Sequence, residues 1–152
     1  MEDMAIVQGR IKAISVSQEK GTQKTNVPQA ELKVDCGIVG DAHAGQWHRQ
    51  VSLLAIESIE KMIAVGADVS PGNFAENVTT EGIDLLSLSL GEKLKLGGSA
   101  VVEITQFGKR CHGGCEIFER VGDCIMPREG IFAKVITPGC IYLGDTIEVL
   151  DD

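Results

Sequence analysis

Leu86-Ser87-Leu88-Ser89-Leu90-Gly91-Glu92-Lys93-Leu94-Lys95-Leu96-Gly97-Gly98-Ser99-Ala100-Val101-Val102-Glu103-Ile104-Thr105 alternates apolar and polar residues in short runs. A period of two puts one side of each run in a core and the other in solvent, which is the mark of a half-buried strand. Gly91-Glu92 and Gly97-Gly98 separate the runs at hairpin spacing. The stretch therefore predicts three successive strands, Leu86–Leu90, Lys93–Leu96 and Val101–Thr105.

Further strands follow on both sides. Ile131–Ile136 and Thr146–Leu150 read as strands joined through Thr137-Pro138-Gly139 and Leu143-Gly144-Asp145. Ile6–Val16 reads as a strand bulged near Gly9. Ser17–Asn26 is polar and aperiodic, the pattern of a surface loop. Ala30, Leu32, Val34, Cys36 and Ile38 alternate with Glu31, Lys33 and Asp35, predicting one strand with Cys36 facing the core. Gly40–Gln50 has no periodicity and precedes the short apolar run Val51-Ser52-Leu53-Leu54. Ile56–Ala64 carries Ile56, Ile59 and Ile63 on one stripe, predicting a helix that stops near Gly66. Ser70–Asn73 is a turn, and Glu116–Val121 fits a second short helix. Many short strands without βαβ alternation indicate a mostly β fold, a β-barrel with a few short helices, in a single domain spanning 1–152.

Composition narrows the function classes. The chain has 152 residues and 18 glycines, in keeping with many tight turns. Its 14 basic and 22 acidic residues give a net charge of -8, which argues against general nucleic-acid binding. No apolar run reaches membrane-spanning length, and the acidic Met1-Glu2-Asp3-Met4 start has no signal-peptide pattern. A cytoplasmic location is expected. Five cysteines stand at 36, 111, 115, 124 and 140. An odd number in such a chain favours reactive or metal-binding thiols over a disulfide framework.

Two clusters carry candidate chemistry. In Lys109-Arg110-Cys111-His112-Gly113-Gly114-Cys115, the Lys109 and Arg110 charges would lower the Cys111 thiol pKa, and a thiolate is both nucleophile and metal ligand. The glycines leave backbone N–H groups open to an anion. A structural zinc is the alternative here: Cys111 and Cys115 have suitable spacing, but no second pair does, and Cys124 or Cys140 would have to fold back. In Gly40–Gln50, Asp41 and His43 form a candidate oriented pair, and Arg49 offers a planar fork for phosphate or carboxylate. A solvated turn is the plain alternative for this loop. Asn77, in Pro71–Asn77, reads as a turn cap or a binding residue. Arg128, in Pro127–Ala133, is a candidate anion contact if it lies beside the cysteine loop. Phosphate-loop, dinucleotide, zinc-protease and serine-hydrolase motifs are all absent from the sequence.

Taken in order, Gly40-Asp41-Ala42-His43 with Arg49–Leu53, Pro71-Gly72 through Asn77, Ile104–Gln106 leading to Cys111, and Arg128–Ala133 with Gly144-Asp145 resemble the MOSC domain, the family named for the C-terminal domain of molybdenum-cofactor sulfurase. The resemblance runs from about Ile6 to Val149 and is nearest to stand-alone bacterial members. It implies a barrel like that of pyruvate kinase, with one characteristic cysteine that aligns with Cys111. In the family that cysteine ligates molybdenum in the pterin cofactor or carries sulfur as a persulfide. Molybdenum ion and pyridoxal phosphate binding are among the family's associations. Two departures stand out. Ala75 occupies a position where many members have glycine, and Phe107–Arg110 replaces the proline-containing approach of reductase-like members.

The resemblance implies a molybdenum-cofactor (molybdopterin) binding or carrier domain acting in cofactor assembly or sulfuration. Cys111 is then the catalytic and metal residue. Arg49, His43, Asp41, Lys109, Arg110, Asn77 and Arg128 are the cofactor-binding candidates. A sulfur carrier holding a persulfide on Cys111 is the alternative, and a non-enzymatic module with a zinc or redox Cys111/Cys115 site is a second. Any enzymatic activity would be sulfur transfer or cofactor-dependent reduction. Expected partners are molybdenum-cofactor biosynthesis proteins or a cysteine desulfurase. The shared-site expectation is that the Gly40–Gln50 loop, Cys111 and Arg128 line one cleft at one end of the barrel.

Overall fold

The structure, a computed structural model, describes residues 8–19, 23–108 and 129–150. Eleven strands are present among these residues: β1 (Gln8–Val16), β2 (Thr25–Val27), β3 (Gln29–Lys33), β4 (Gly37–Ile38), β5 (Val51–Ala55), β6 (Val78–Glu81), β7 (Lys93–Leu96), β8 (Ala100–Phe107), β9 (Ile131–Thr137), β10 (Gly139–Tyr142) and β11 (Thr146–Leu150). An α-helix, α1, covers Ile56–Ala64. Seven strands form a closed barrel in the order β11-β7-β8-β9-β5-β6-β1, with β1 and β11 completing the ring. Neighbours are antiparallel except β5 and β6, which run parallel with α1 in the crossover between them. The strands β10, β3 and β4 make a separate small sheet.

The barrel interior is filled by Ile11, Ile14, Leu53, Leu94, Leu96, Val102, Ile104 and Ile147, all essentially inaccessible. Each such side chain contributes about 1.5–3 kcal/mol by leaving water. The strand β5 is buried on both faces. Val51 and Leu53 point into the barrel, while Leu54 joins Ile59, Phe74 and Phe132 beneath the helix. This explains why β5 carries apolar residues on both faces, with Ser52 its one polar residue, where the outer strands alternate.

The helix has the expected boundaries but a different buried stripe. Ile56 and Ile59 are buried and Met62 is partly so, whereas Ile63 is 49% exposed. Ala30–Ile38 is a hairpin rather than one strand. Asp35 (φ 62°) and Gly37 (φ 105°) reverse the chain, pairing Leu32 with Ile38. Val34 is thereby exposed and Cys36 only half-buried. Leu86–Leu90 is not a strand: Leu85–Ser87 forms a 3₁₀ turn, and Leu86 and Leu90 face solvent. The bulge in β1 falls between Ile11 and Ala13, opposite β6, rather than at Gly9. Within the polar stretch 17–26, Lys24 is buried, and Thr25–Val27 pairs with the end of β1.

Candidate functional site

The Gly40–Gln50 loop links β4 to β5 and is pinned at several points. Gln50 spans it, donating from Nε2 to the Gly45 carbonyl (3.0 Å) while its Oε1 accepts the Val135 N–H (2.9 Å). Gly45 N–H donates to the Cys36 carbonyl at 2.6 Å. Thr105 on β8 donates its hydroxyl to the His48 carbonyl, and the His48 Nε2 lies 2.7 Å from Gln106 Oε1. These bonds hold the loop over the end of the barrel where β8 finishes and β9 begins.

A buried polar group forms the floor of the loop. Lys24 Nζ donates to Asp41 Oδ1 at 2.8 Å and to Ser17 Oγ at 3.0 Å, and lies 3.1 Å from His43 Nδ1. The Lys24 and Asp41 side chains are fully inaccessible. Asp41 Oδ2 accepts the His43 backbone N–H at 3.0 Å. Burial alone would raise the Asp41 pKa. The Lys24 ammonium and the His43 backbone amide, both donating to the carboxylate, outweigh it and hold the carboxyl far below the usual carboxylate range. An ammonium has only donors, so His43 Nδ1 accepts from it and the ring proton sits on Nε2.

Above this floor the aromatic residues stack. Trp47 donates from Nε1 to the His43 carbonyl (2.7 Å), and its ring lies nearly parallel to His43, with centroids 6.3 Å apart. The Arg49 guanidinium is 4.7 Å from the Trp47 ring centroid and 5.6 Å from that of Phe132. Such cation–π placement fixes the guanidinium without neutralising it. Arg49 Nε is buried and has no hydrogen-bond partner. No carboxylate pairs with Arg49 among the described residues. A guanidinium fixed in this way, with no carboxylate partner among the described residues, is suited to an anion of matching shape, phosphate above all.

The structure thus brings Asp41, His43 and Arg49 together around Trp47. Asn77 lies in the barrel wall instead. It is fully buried, its Oδ1 accepts from Ser52 N and Ser52 Oγ, and its Nδ2 donates to the Ser15 carbonyl. None of these bonds reaches the Trp47 group. Cys111, Lys109, Arg110 and Arg128, together with His112, Cys115, Cys124 and the Glu116–Val121 helix, lie outside the described residues. Cys36 and Cys140 are free thiols. Among the described residues no three His, Cys, Asp or Glu side chains converge as a metal site.

Lys24 and Phe132 escaped the sequence reading. Lys24 sits in a polar, aperiodic stretch where nothing marks one lysine as buried. Phe132 reads as an ordinary strand residue.

The model of the MOSC domain family matches residues 40–148 of this chain. The chain belongs to the MOSC domain family. This family is associated with molybdenum-cofactor functions. The match takes in Asp41, His43, Trp47, Arg49 and Phe132, and starts after Lys24. No curated protein matches this MOSC chain. The YUAD protein from Bacillus subtilis has a similar structure, with TM-score 0.79 at 21% identity, covering 95% of this chain and 97% of that one. YiiM from Geobacillus stearothermophilus gives 0.71 at 18% identity, covering 94% and 75%. YiiM from Escherichia coli gives 0.66 at 16% identity, covering 99% and 71%. These likenesses show that the barrel fold is shared. Among the described residues no helix is long and apolar enough to cross a membrane.

Ala75, at the position where the family resemblance implies glycine, has φ 67°. That left-handed conformation is the physical reason for glycine at such a position.

Proposed function

We propose that this MOSC domain binds or carries the molybdenum cofactor in its assembly or sulfuration, with Cys111 as the thiolate that meets the metal. The observation that carries the reading is Arg49, held between Trp47 and Phe132 with a buried Nε and no acceptor. The phosphate of a pterin cofactor supplies the missing anion, and the His43 ring, stacked against Trp47, is a second candidate donor. Gly40 and Gly45, both at positive φ, have nothing within 4 Å of a Cβ position, so the loop leaves room for a ligand. When bound, the cofactor supplies a redox-active metal. The protein's own part is to anchor the phosphate and to offer a soft ligand.

Covalent reach favours a shared site. Gln106, bonded to His48, donates from Nε2 to the Gly108 carbonyl at 2.6 Å. Cys111 follows three residues later, within about 11 Å of Gly108 by chain length. Lys109 and Arg110 fall inside the same reach and would add positive charge. Partners in this reading are cofactor-biosynthesis proteins.

Native mass spectrometry tests the proposal on protein purified without oxygen from a host that makes the cofactor. The expected result is a pterin–molybdenum mass, lost in Cys111→Ser and kept in Cys36→Ser. Arg49→Gln should weaken retention by about tenfold or more, the loss of a charged hydrogen bond. A bare chain from that host overturns the proposal. So does a chain carrying only zinc, one extra sulfur or pyridoxal phosphate, and the extra sulfur would favour a persulfide carrier.

A further inference from the structure

We infer that Lys24 is a positioning residue for the anion subsite, acting by holding His43. The inference rests on the reading of Arg49 and His43 as that subsite. Lys24 lies outside the span matched by the family, on the short segment ahead of β2. Its ammonium is buried and touches Asp41, Ser17 and His43 Nδ1 at once. Contact with Nδ1 leaves Nε2 as the ring's donor, and no described residue accepts from that atom.

The lysine is itself held from behind. Its backbone N–H donates to the Gly72 carbonyl at 2.8 Å. A Cβ on Gly72 would meet the Lys24 carbonyl oxygen at 2.6 Å, so only glycine permits this approach. Gly72 N–H in turn donates to the buried Glu76 carboxyl at 2.8 Å. Asn26, two residues after Lys24, donates to the Pro71 carbonyl at 2.9 Å. The Pro71–Asn77 motif therefore reaches the His43 ring through Lys24. Its role is to fix a lysine, and the lysine's role is to fix a histidine.

Removing Lys24 alone would strand the buried Asp41 charge, so the test pairs Lys24→Met with the double variant Lys24→Met/Asp41→Asn. The double variant leaves net charge unchanged, which separates positioning from simple attraction. Both are examined in the full chain by nitrogen NMR of the His43 ring and by titration with inorganic phosphate. In the unmodified chain His43 Nδ1 should show a hydrogen-bonded lone pair, Nε2 a proton, and the ring contacts to Trp47. In the double variant the Nδ1 signal should move to that of a free lone pair and the Trp47 contacts weaken. The phosphate Kd should rise about three- to tenfold, the cost of ordering a released side chain on binding.

Unchanged ring signals overturn the inference. A released ring with a phosphate Kd within about twofold of the original also overturns it, because the ring would then position nothing. Arg49→Gln identifies failure of the underlying reading. If it leaves phosphate binding intact, or if the unmodified chain binds no phosphate, the anion subsite itself is wrong.

Discussion

Asp41 and Lys24 form an ion pair with no solvent access on either side. Removing one partner of such a pair leaves a buried charge uncompensated, at about 3–5 kcal/mol. Asp41→Asn should therefore lower the urea midpoint strongly near neutral pH. The effect has a defined pH sign. The native carboxyl is depressed, so the folded chain binds fewer protons here than the unfolded one. Its stabilisation is complete above the unfolded value of 3.8 and is lost as pH falls through the native one. The gap between wild type and Asp41→Asn should narrow steadily below about pH 4, and a constant gap would refute the assignment. Glu76 has the opposite sign. Burial pushes its carboxyl above 4.5 despite hydrogen bonds from Gly72 N, Thr79 Oγ1 and Phe74 N. Its contribution falls as pH rises above that value toward the native one.

At the scale of elements, Asn77 ties three strands together. Its side chain takes the Ser52 N–H on β5 and gives to the Ser15 carbonyl on β1, immediately ahead of β6. Asn77→Ala should cost about 2–4 kcal/mol, since it leaves buried backbone groups unpaired. Asn77→Asp keeps the shape but turns Nδ2 into an acceptor facing a carbonyl. A buried Asp there has a raised pKa, and only its protonated form can donate to Ser15. That variant should gain stability relative to wild type as pH falls, measured by urea midpoints across the acid range. If the loss appears in phosphate affinity with stability untouched, Asn77 is a binding residue and not a wall clamp. Most elements could be read from the pattern. Alternation identifies β7 and β8, the short apolar runs between turn signals identify β9 and β11, and the 3.6 period identifies α1. The exceptions share a cause. Asp35 and Gly37 fold Ala30–Ile38 back at positive φ, which alternation does not report. Val78–Glu81 and Gly139–Tyr142 are too short and mixed to show a period, and gain their strand character from partners far along the chain. The candidates Asp41, His43 and Arg49 stand out in the sequence as unusual side chains in an aperiodic loop, whereas Lys24 does not, since its burial depends wholly on tertiary packing.

The whole molecule depends on one closure. The barrel is a ring only because β1 pairs with β11 through Gln8, Gly9 and Arg10 while also pairing with β6 on its other side. Gly9 sits where these neighbours crowd together. A Cβ there would meet the Glu81 carbonyl oxygen at 2.6 Å and Ile83 Cβ at 2.9 Å. Glu81 belongs to β6, so relief would require moving a paired backbone and not merely a flexible side chain. Gly98, in the turn between β7 and β8, has nothing within 4 Å of its Cβ position. Neither glycine has a positive φ, so the comparison isolates space from backbone strain. Gly9→Ala should cost about 1–3 kcal/mol, the range for overpacking a close-packed site, and Gly98→Ala within about 0.5 kcal/mol. Closure makes β1 part of the same cooperative unit as the remaining barrel strands. The Gly9→Ala chain should therefore unfold in one transition, at lower urea but with an unchanged slope. A separate early transition would mean that β1 detaches from a barrel that stands without it. The closed ring would then be a consequence of folding, not a condition of it.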